Sequence, residues 1–307
     1  MNYNLSLRIA VIVPTYNGRT QIEHTVFSIR NQTLDSDLFV VDSDSKDGTQ
    51  EWIKEHVDTV QTIPSVEFNH GGTRQMMVDR HPGYDIYVFM TQDAYLEDEY
   101  ALERLVASFV DPCIGTAYGR QLPRHDATVI SQHARLFNYP SVSRIVTYED
   151  RKNLGFKAAF SSNSFAAYRA TALIEVGGFP SHTIVSEDMY VTARMLMRGW
   201  KVAYVSDALC RHSHNYTLLE EFQRYFDIGV FNAREAWIRE KFGDVGGEGK
   251  RFVVSEIKYL GLNDWYLIPG AIVRNTGKFI AFQLGLRYKW VPTHIRRFFS
   301  MHRRFWK

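Results

Sequence analysis

An α/β fold with a mostly parallel central sheet is predicted by three features of this 307-residue chain. Over the first ~120 residues, short apolar runs alternate with segments of helical period, the pattern of repeated βα units. The apolar runs end in polar clusters, and strand ends of such a sheet form its ligand crevice. The composition, 45% hydrophobic and 23% charged, suits one large domain plus an appendage.

In order, "RIAVIVP" (8–14) reads as the first strand and 20–31 as the helix after it. "LFVVD" (38–42) is a strand, 46–56 a helix, "TVQTI" (59–63) a shorter strand and 71–80 a helix. "DIYVFM" (85–90) is a buried strand that feeds Asp93, followed by a helix over 98–110. Past residue 120 the alternation weakens: 120–163 is polar, and "SFAAYRATALIEVGGF" precedes a helix at 187–199. "KVAYVSD" (201–207) should rejoin the sheet as a strand. From 217 the pattern is helical to the end, interrupted by the Gly-rich "GDVGGEGK" (243–250), an expected surface loop. The chain thus divides into an α/β domain, 1–216, and a helical region, 217–307.

Several function classes are disfavoured at once. Cys113 and Cys210 are far apart with no CxxC spacing, which argues against a disulfide framework or zinc knuckle and fits a reducing cytosol. No basic stretch followed by an apolar one opens the chain, so a signal peptide is not expected. The most apolar stretch, 265–286, is broken by Arg274 and Lys278 and does not read as a membrane span. The first turn, "VPTYNG", lacks the GxGxxG that lets a backbone approach a dinucleotide pyrophosphate.

The polar strand ends carry the candidate chemistry. Pro14, Thr15, Tyr16 and Asn17 follow the first strand, and Asp42 ends the second, at the crevice floor, where a carboxylate can accept from a nucleobase imide or ribose hydroxyl. Asp42, Asp44 and Asp47 crowd one turn, in which Ser45 or Asp47 also suits a helix cap. Gly71-Gly72 and Arg74 open a helix, and both helix N-termini and arginine favour phosphate. Glu187-Asp188 precedes another helix, either as its cap or as carboxylates kept ionised by its dipole. His212 and His214, two apart on an extended chain, point the same way.

Taken together, "VIVPTYNG", "VVDSDSKDGT", "FNHGGTRQ", "FMTQDA", "GGF", "SEDMYVTARMLMRGWKVAY" and "RHSHNY", in this order over residues 8–232, resemble glycosyltransferase family 2. The "HGGTR" and "TQDA" variants resemble its bacterial rhamnosyltransferase branch. The resemblance implies a GT-A fold, a nucleotide diphosphosugar donor, inversion at the anomeric carbon, and Mg²⁺ or Mn²⁺ on a DXD-type motif. Asp93 matches the last carboxylate of that motif, whereas Thr91 stands where the family often has the first. A histidine completes the metal site in related enzymes, with His212 slightly favoured here over His214. Asp188 is then the general base and Glu187 shapes the site. The donor half, 1–95, offers Pro14, Thr15, Tyr16, Asn17, Asp42, Arg74 and Gln92, joined by Arg224 as a second diphosphate ligand. The acceptor half, 96–216, offers Asn163, in "FSSNSFAAYR", and Glu187. The QxxRW of processive relatives is replaced by "QRYF", which points to addition of one or a few sugars. The implied reaction is transfer of L-rhamnose from dTDP-L-rhamnose to a lipid-linked glycan; the alternatives are another donor such as a UDP-hexose, or a silent nucleotide-sugar binding subunit.

Charge is distributed unevenly. Residues 265–307 hold nine Lys/Arg and no Asp or Glu, while 1–264 hold 27 basic and 34 acidic residues. In "HIRRFFSMHRRFWK" (294–307), Ile295, Phe298, Phe299, Phe305 and Trp306 cluster within about 120° of helical angle, opposite Arg296, Arg297, Arg303, Arg304 and Lys307. This is the pattern of an interfacial helix that would attach a cytoplasmic enzyme peripherally to the inner face of the membrane. A helix docked on the core has the same pattern, and no nucleic-acid module accompanies the basic stretch.

Overall fold

The computed structural model describes residues 7–244, 247–261 and 263–306. The expected βα alternation is present as β1 (Ile9–Thr15), α1 (Arg19–Arg30), β2 (Asp37–Asp42), α2 (Thr49–His56), β3 (Thr59–Thr62), α3 (His70–Arg80) and β4 (Ile86–Met90). Then come β5 (Tyr95–Leu96), α4 (Ala101–Ala107), β6 (Ile114–Leu122), α5 (Val129–Asn138), β7 (Arg144–Val146), α6 (Arg151–Leu154) and β8 (Phe165–Arg169). After α7 (Ala170–Glu175), α8 (Glu187–Met197) and β9 (Lys201–Arg211), the chain is helical: α9 (Leu218–Arg234), α10 (Ala236–Phe242), α11 (Glu248–Leu260), α12 (Ile268–Leu286) and α13 (Thr293–Phe299). Of the Gly-rich stretch 243–250, residues 245–246 lie outside the described residues.

The strands form one sheet in the order β3-β2-β1-β4-β8-β6-β9-β5, with β7 also on β9. β1 pairs in parallel with β2 and β4, and β2 with β3. β8 is antiparallel to both β4 and β6, so the sheet is mixed where the second half joins the first. Because side chains alternate across a strand, Ile9, Val11 and Val13 of β1 face α1 and α2, through Ile22, Val26, Trp52 and Ile53. Ala10 and Ile12 join the opposite core, with Met77 of α3 and Val191 of α8. β1 is buried along its whole length, hence its unbroken apolar run.

Sequence reading missed β6, α5 and β8, and the reason is steric. Glycines interrupt the apolar pattern of β6 because neighbours come too close for a side chain: a Cβ on Gly119 would lie 2.4 Å from the Phe165 ring and 2.6 Å from the Ala208 carbonyl. The polar segment after residue 120 is polar because Gln121, Arg135 and Ser162 build a hydrogen-bonded network there.

The basic tail corrects an expectation. There is no single amphipathic helix over 294–307: α13 ends at Phe299, Ser300 is fully buried, and Lys307 lies outside the described residues. Phe299 packs on Phe222 and Phe226, and Trp306 on Phe226 and Tyr288. The Asp227 carboxylate of α9 accepts from the Met301 amide, and Arg304 donates to the Ser65 carbonyl of the β3–α3 loop. The apolar side of the tail is therefore part of the protein core, and only Phe298 of its aromatics is exposed. Phe226, Phe231, Ala281 and Trp306 belong to the same core cluster as Tyr118 and Tyr204 of the sheet, so α9, α12 and the tail share a core with the rest.

Candidate active site

Three strand ends meet at one edge. Gln92, just past β4, holds the loop after β1: its Oε1 accepts from Thr15 Oγ1 and from the Tyr16 amide, each at 2.7 Å. Asn17, in the left-handed region at φ +45°, receives the Lys46 amide on Oδ1 at 2.8 Å and donates its own amide to Ser45 Oγ at 2.8 Å. The loops after β1 and β2 are thus tied together, with Tyr16 exposed beside them. Pro14, inside β1, pairs in register with Val41, which fixes where that loop begins.

Asp42 does not sit free on the crevice floor as expected. It is fully buried, and its two oxygens accept from the Ser45 hydroxyl and amide and from Gln50 Nε2. Its work is to shape the turn. The next residue, Ser43, escaped the sequence reading: its buried hydroxyl has no hydrogen-bond partner among the described residues.

Asp93, His212 and His214 come together, with ligand atoms all within 4.8 Å of one another. Asp93 Oδ2 lies 3.4 Å from His212 Nε2 and 3.6 Å from His214 Nδ1. Both histidines belong to the cluster, so the sequence-based choice between them was unnecessary. His212 Nδ1 is 2.9 Å from Gln121 Oε1, the atom that also accepts from Arg135, while Gln121 Nε2 donates to Ser162. That network orients the amide and requires Nδ1 of His212 to be the donor. Nε2 of His212 then faces the Asp93 carboxylate, where a proton or a metal ion can lie between them. Burial and the neighbouring His212 push His214 down to about 3, which keeps it neutral, as a metal ligand must be. One carboxylate and two imidazoles suit Mn²⁺, or Mg²⁺ less well. The fit is therefore good. Nearby, the hydroxyl of Thr91 is buried and has no geometric hydrogen-bond partner among the described residues. Tyr216 stacks on His214 with ring centroids 4.7 Å apart.

The second cluster surrounds the N-terminus of α8. Asp188 Oδ2 accepts from the Asn163 amide at 3.1 Å and Oδ1 from the Met189 amide at 2.8 Å. Asn163 is buried: its Nδ2 donates to Glu187 Oε1 at 2.9 Å and its Oδ1 accepts from Tyr168. Asn163 and Glu187, expected to line the acceptor side, instead form the framework that holds Asp188. Ser186, at φ +61°, is a left-handed non-glycine that turns the chain into the helix here. Contrary to the expectation from the sequence, the helix dipole does not keep Asp188 acidic. Burial, then the Glu187 charge beside it, push its pKa up to about 7.

Arg74 is a correction. It is buried, ion-paired with Glu187 at 3.0 Å and donating at 2.7 Å to the His70 carbonyl, so it neutralises Glu187 and is not available to a donor phosphate. Nor do Gly71 and Gly72 cradle an anion: a Cβ on Gly71 would lie 1.9 Å from the Pro180 carbonyl, so that glycine permits α3 to abut the 180 loop. Arg224, by contrast, is exposed on α9 and makes no hydrogen bond or ion pair among the described residues. Its charge helps depress the pKa of both His214 and His302, so it lies within electrostatic reach of the Asp93 cluster and of the tail. His302, whose ring lies 4.7 Å from that of His70, was not foreseen, because nothing local announces that the tail folds back.

A largely parallel sheet with a carboxylate–imidazole cluster and a raised aspartate beside its strand ends is the arrangement of a glycosyltransferase of the GT-A fold. The chain belongs to Glycosyl transferase family 2, whose profile matches residues 10–177. It is 45% identical over 302 residues to the O-antigen chain rhamnosyltransferase RfbN of Salmonella typhimurium, covering 98% of this chain and 96% of the relative. It is likewise 45% identical over 298 residues to the O-antigen chain rhamnosyltransferase WbaN of Salmonella anatum, covering 96% and 95%. Among solved structures, a mannosyltransferase from Pyrobaculum calidifontis, in complex with GDP-Man and Mn²⁺, shares the fold at TM-score 0.57 and 21% identity, over 97% of this chain and 85% of that one.

Proposed function

We propose that this enzyme transfers L-rhamnose from dTDP-L-rhamnose to a hydroxyl of a lipid-linked glycan in O-antigen assembly, with inversion, at the cytoplasmic face of the membrane. The sugar rests on the two rhamnosyltransferases that it resembles along nearly its whole length. The observation that carries the chemistry is the pairing of an Asp93–His212–His214 cluster with a carboxylate, Asp188, whose pKa is near neutrality.

The acceptor oxygen forms the new bond to the anomeric carbon, the bond from that carbon to the diphosphate breaks, and the acceptor proton passes to Asp188. A base titrating near the working pH serves this step best. Glu187 raises that pKa, Arg74 keeps Glu187 ionised, and Asn163 fixes both carboxylates. Mg²⁺ or Mn²⁺ held by Asp93, His212 and His214 would neutralise the diphosphate leaving group. Arg224 supplies a further positive charge to the diphosphate, and Ser43 and Thr91 offer hydroxyls to the nucleotide end and the metal end.

The test is nucleotide release from a panel of dTDP-L-rhamnose, UDP-glucose and GDP-mannose, with Mn²⁺ or with chelator. Release from dTDP-L-rhamnose alone, abolished by chelator, is expected. Preference for UDP-glucose would move the sugar assignment, and undiminished turnover in chelator would remove the metal.

A further inference from the structure

Helix α12 is turned inside out. Its two charged interior residues, Arg274 and Lys278, point into the protein and both reach Glu221 of α9, at 3.0 and 3.2 Å, while Asn275 donates to the buried Glu256 of α11. The outward side instead carries Ile272, Val273, Phe279 and Ile280, each roughly half exposed or more. On a helix that packs only against its own protein the arrangement is the reverse. The helix is nonetheless firmly seated: α9 and α12 cross at Gly229 and Gly285, where a Cβ on Gly285 would lie 2.2 Å from the Phe226 carbonyl. Its apolar side is thus not a loose core element awaiting the sheet.

Two further observations say what covers it. Aromatic residues flank the helix in sequence, Trp265 and Tyr266 before it and Trp290 after it, and these are 71%, 63% and 88% exposed. Indole and phenol rings favour the boundary between hydrocarbon and water. From Trp265 onward the chain also contains no acidic residue, and Arg287, Lys289, Arg297 and Arg303 are exposed. An apolar stripe with exposed aromatics and an unopposed basic flank matches an anionic lipid surface in both polarity and charge. No helix among the described residues is long and apolar enough to cross a membrane.

We infer that the outward side of α12, with Trp265, Tyr266 and Trp290, lies on an anionic bilayer and brings the crevice to its lipid-borne acceptor. This rests on the membrane-linked acceptor proposed above, but assigns the contact to α12 and not to the tail. The full chain is sedimented with vesicles of phosphatidylethanolamine and phosphatidylglycerol, or of phosphatidylcholine alone, alongside the F279S/I280S variant. The native chain is expected to bind the anionic vesicles more tightly, and the variant to lose binding by at least about tenfold with an unchanged melting curve. If the variant binds as the native chain does, the bilayer touches another surface and the assignment to α12 fails, while the acceptor reading stands. If the native chain is a lipid-free dimer that the variant splits, the occupant is a second copy. If the native chain binds neither vesicle, the membrane reading fails with it.

Discussion

Asp93 and Asp188 both lie beside the strand ends of one sheet, both are half-buried, and their surroundings push them in opposite directions. Burial opposes the charge of each. At Asp93, the adjacent His212 and His214 outweigh it and hold the carboxyl far below the usual range. At Asp188, the neighbour is Glu187, a like charge, so burial and repulsion act together and raise the pKa to about 7. One side chain is thereby fitted to hold a cation and the other to accept a proton. The difference teaches that the division of labour lies in the neighbours and not in the aspartates.

The largest expected effect breaks the comparison at its basic member. Asp188→Asn should lower kcat by about 10²–10⁴-fold, since the amide keeps the shape but takes no proton. In the native enzyme kcat should fall as pH drops through about 7, where Asp188 becomes protonated. Stability runs the other way: a carboxyl with a raised pKa contributes stability that is fully present below its ordinary range and is lost as pH rises through about 7. Asp188→Asn should therefore melt higher than the native protein at pH above 7, which calorimetry would read directly. A lower melting temperature there would mean that the charged form is the stabilising one.

A second test sharpens the contrast through Arg74. Breaking a buried ion pair costs about 3–5 kcal/mol, and Arg74 and Glu187 are both buried at 3.0 Å. Arg74→Met should lower the denaturation midpoint accordingly, as seen by fluorescence in urea. A variant of native stability that shows only a raised KM for donor would restore Arg74 as a phosphate ligand.

That arginine shows what was legible in the sequence and what was not. Asp93, His212 and His214 were visible because each ends a strand or follows one, and strand direction alone places them at the crevice. Arg74 and Glu187 lie 113 positions apart, and their pairing depends on α3 meeting α8 across Gly71, which only the packing reveals. Asp42 was rightly placed at a strand end, but its burial by Ser45 and Gln50 had no sequence signal. The tail and α12 share a further limit: helical period tells which residues share a side, but not whether that side meets protein or lipid. In the tail the apolar side faces inward; in α12 it faces outward.

The smallest effect probes the support of the Asp93–His212–His214 cluster. Gln121→Leu removes the acceptor that fixes His212 Nδ1, and outer-shell losses of this kind weaken metal binding about 10–100-fold. Titration of Mn²⁺ by electron paramagnetic resonance would measure it, with kcat at saturating Mn²⁺ close to native. Unchanged Mn²⁺ affinity would show that His212 needs no such support.

The central claim, that Asp93 serves the diphosphate and Asp188 the proton, is tested most directly by calorimetric binding of dTDP-L-rhamnose, in the presence of Mn²⁺, to Asp93→Ala and Asp188→Asn. The account predicts that Asp188→Asn binds donor within a few-fold of native, because a base contributes to the transition state and little to ground-state affinity, while Asp93→Ala loses metal-dependent binding. Donor binding lost in Asp188→Asn and retained in Asp93→Ala would contradict it.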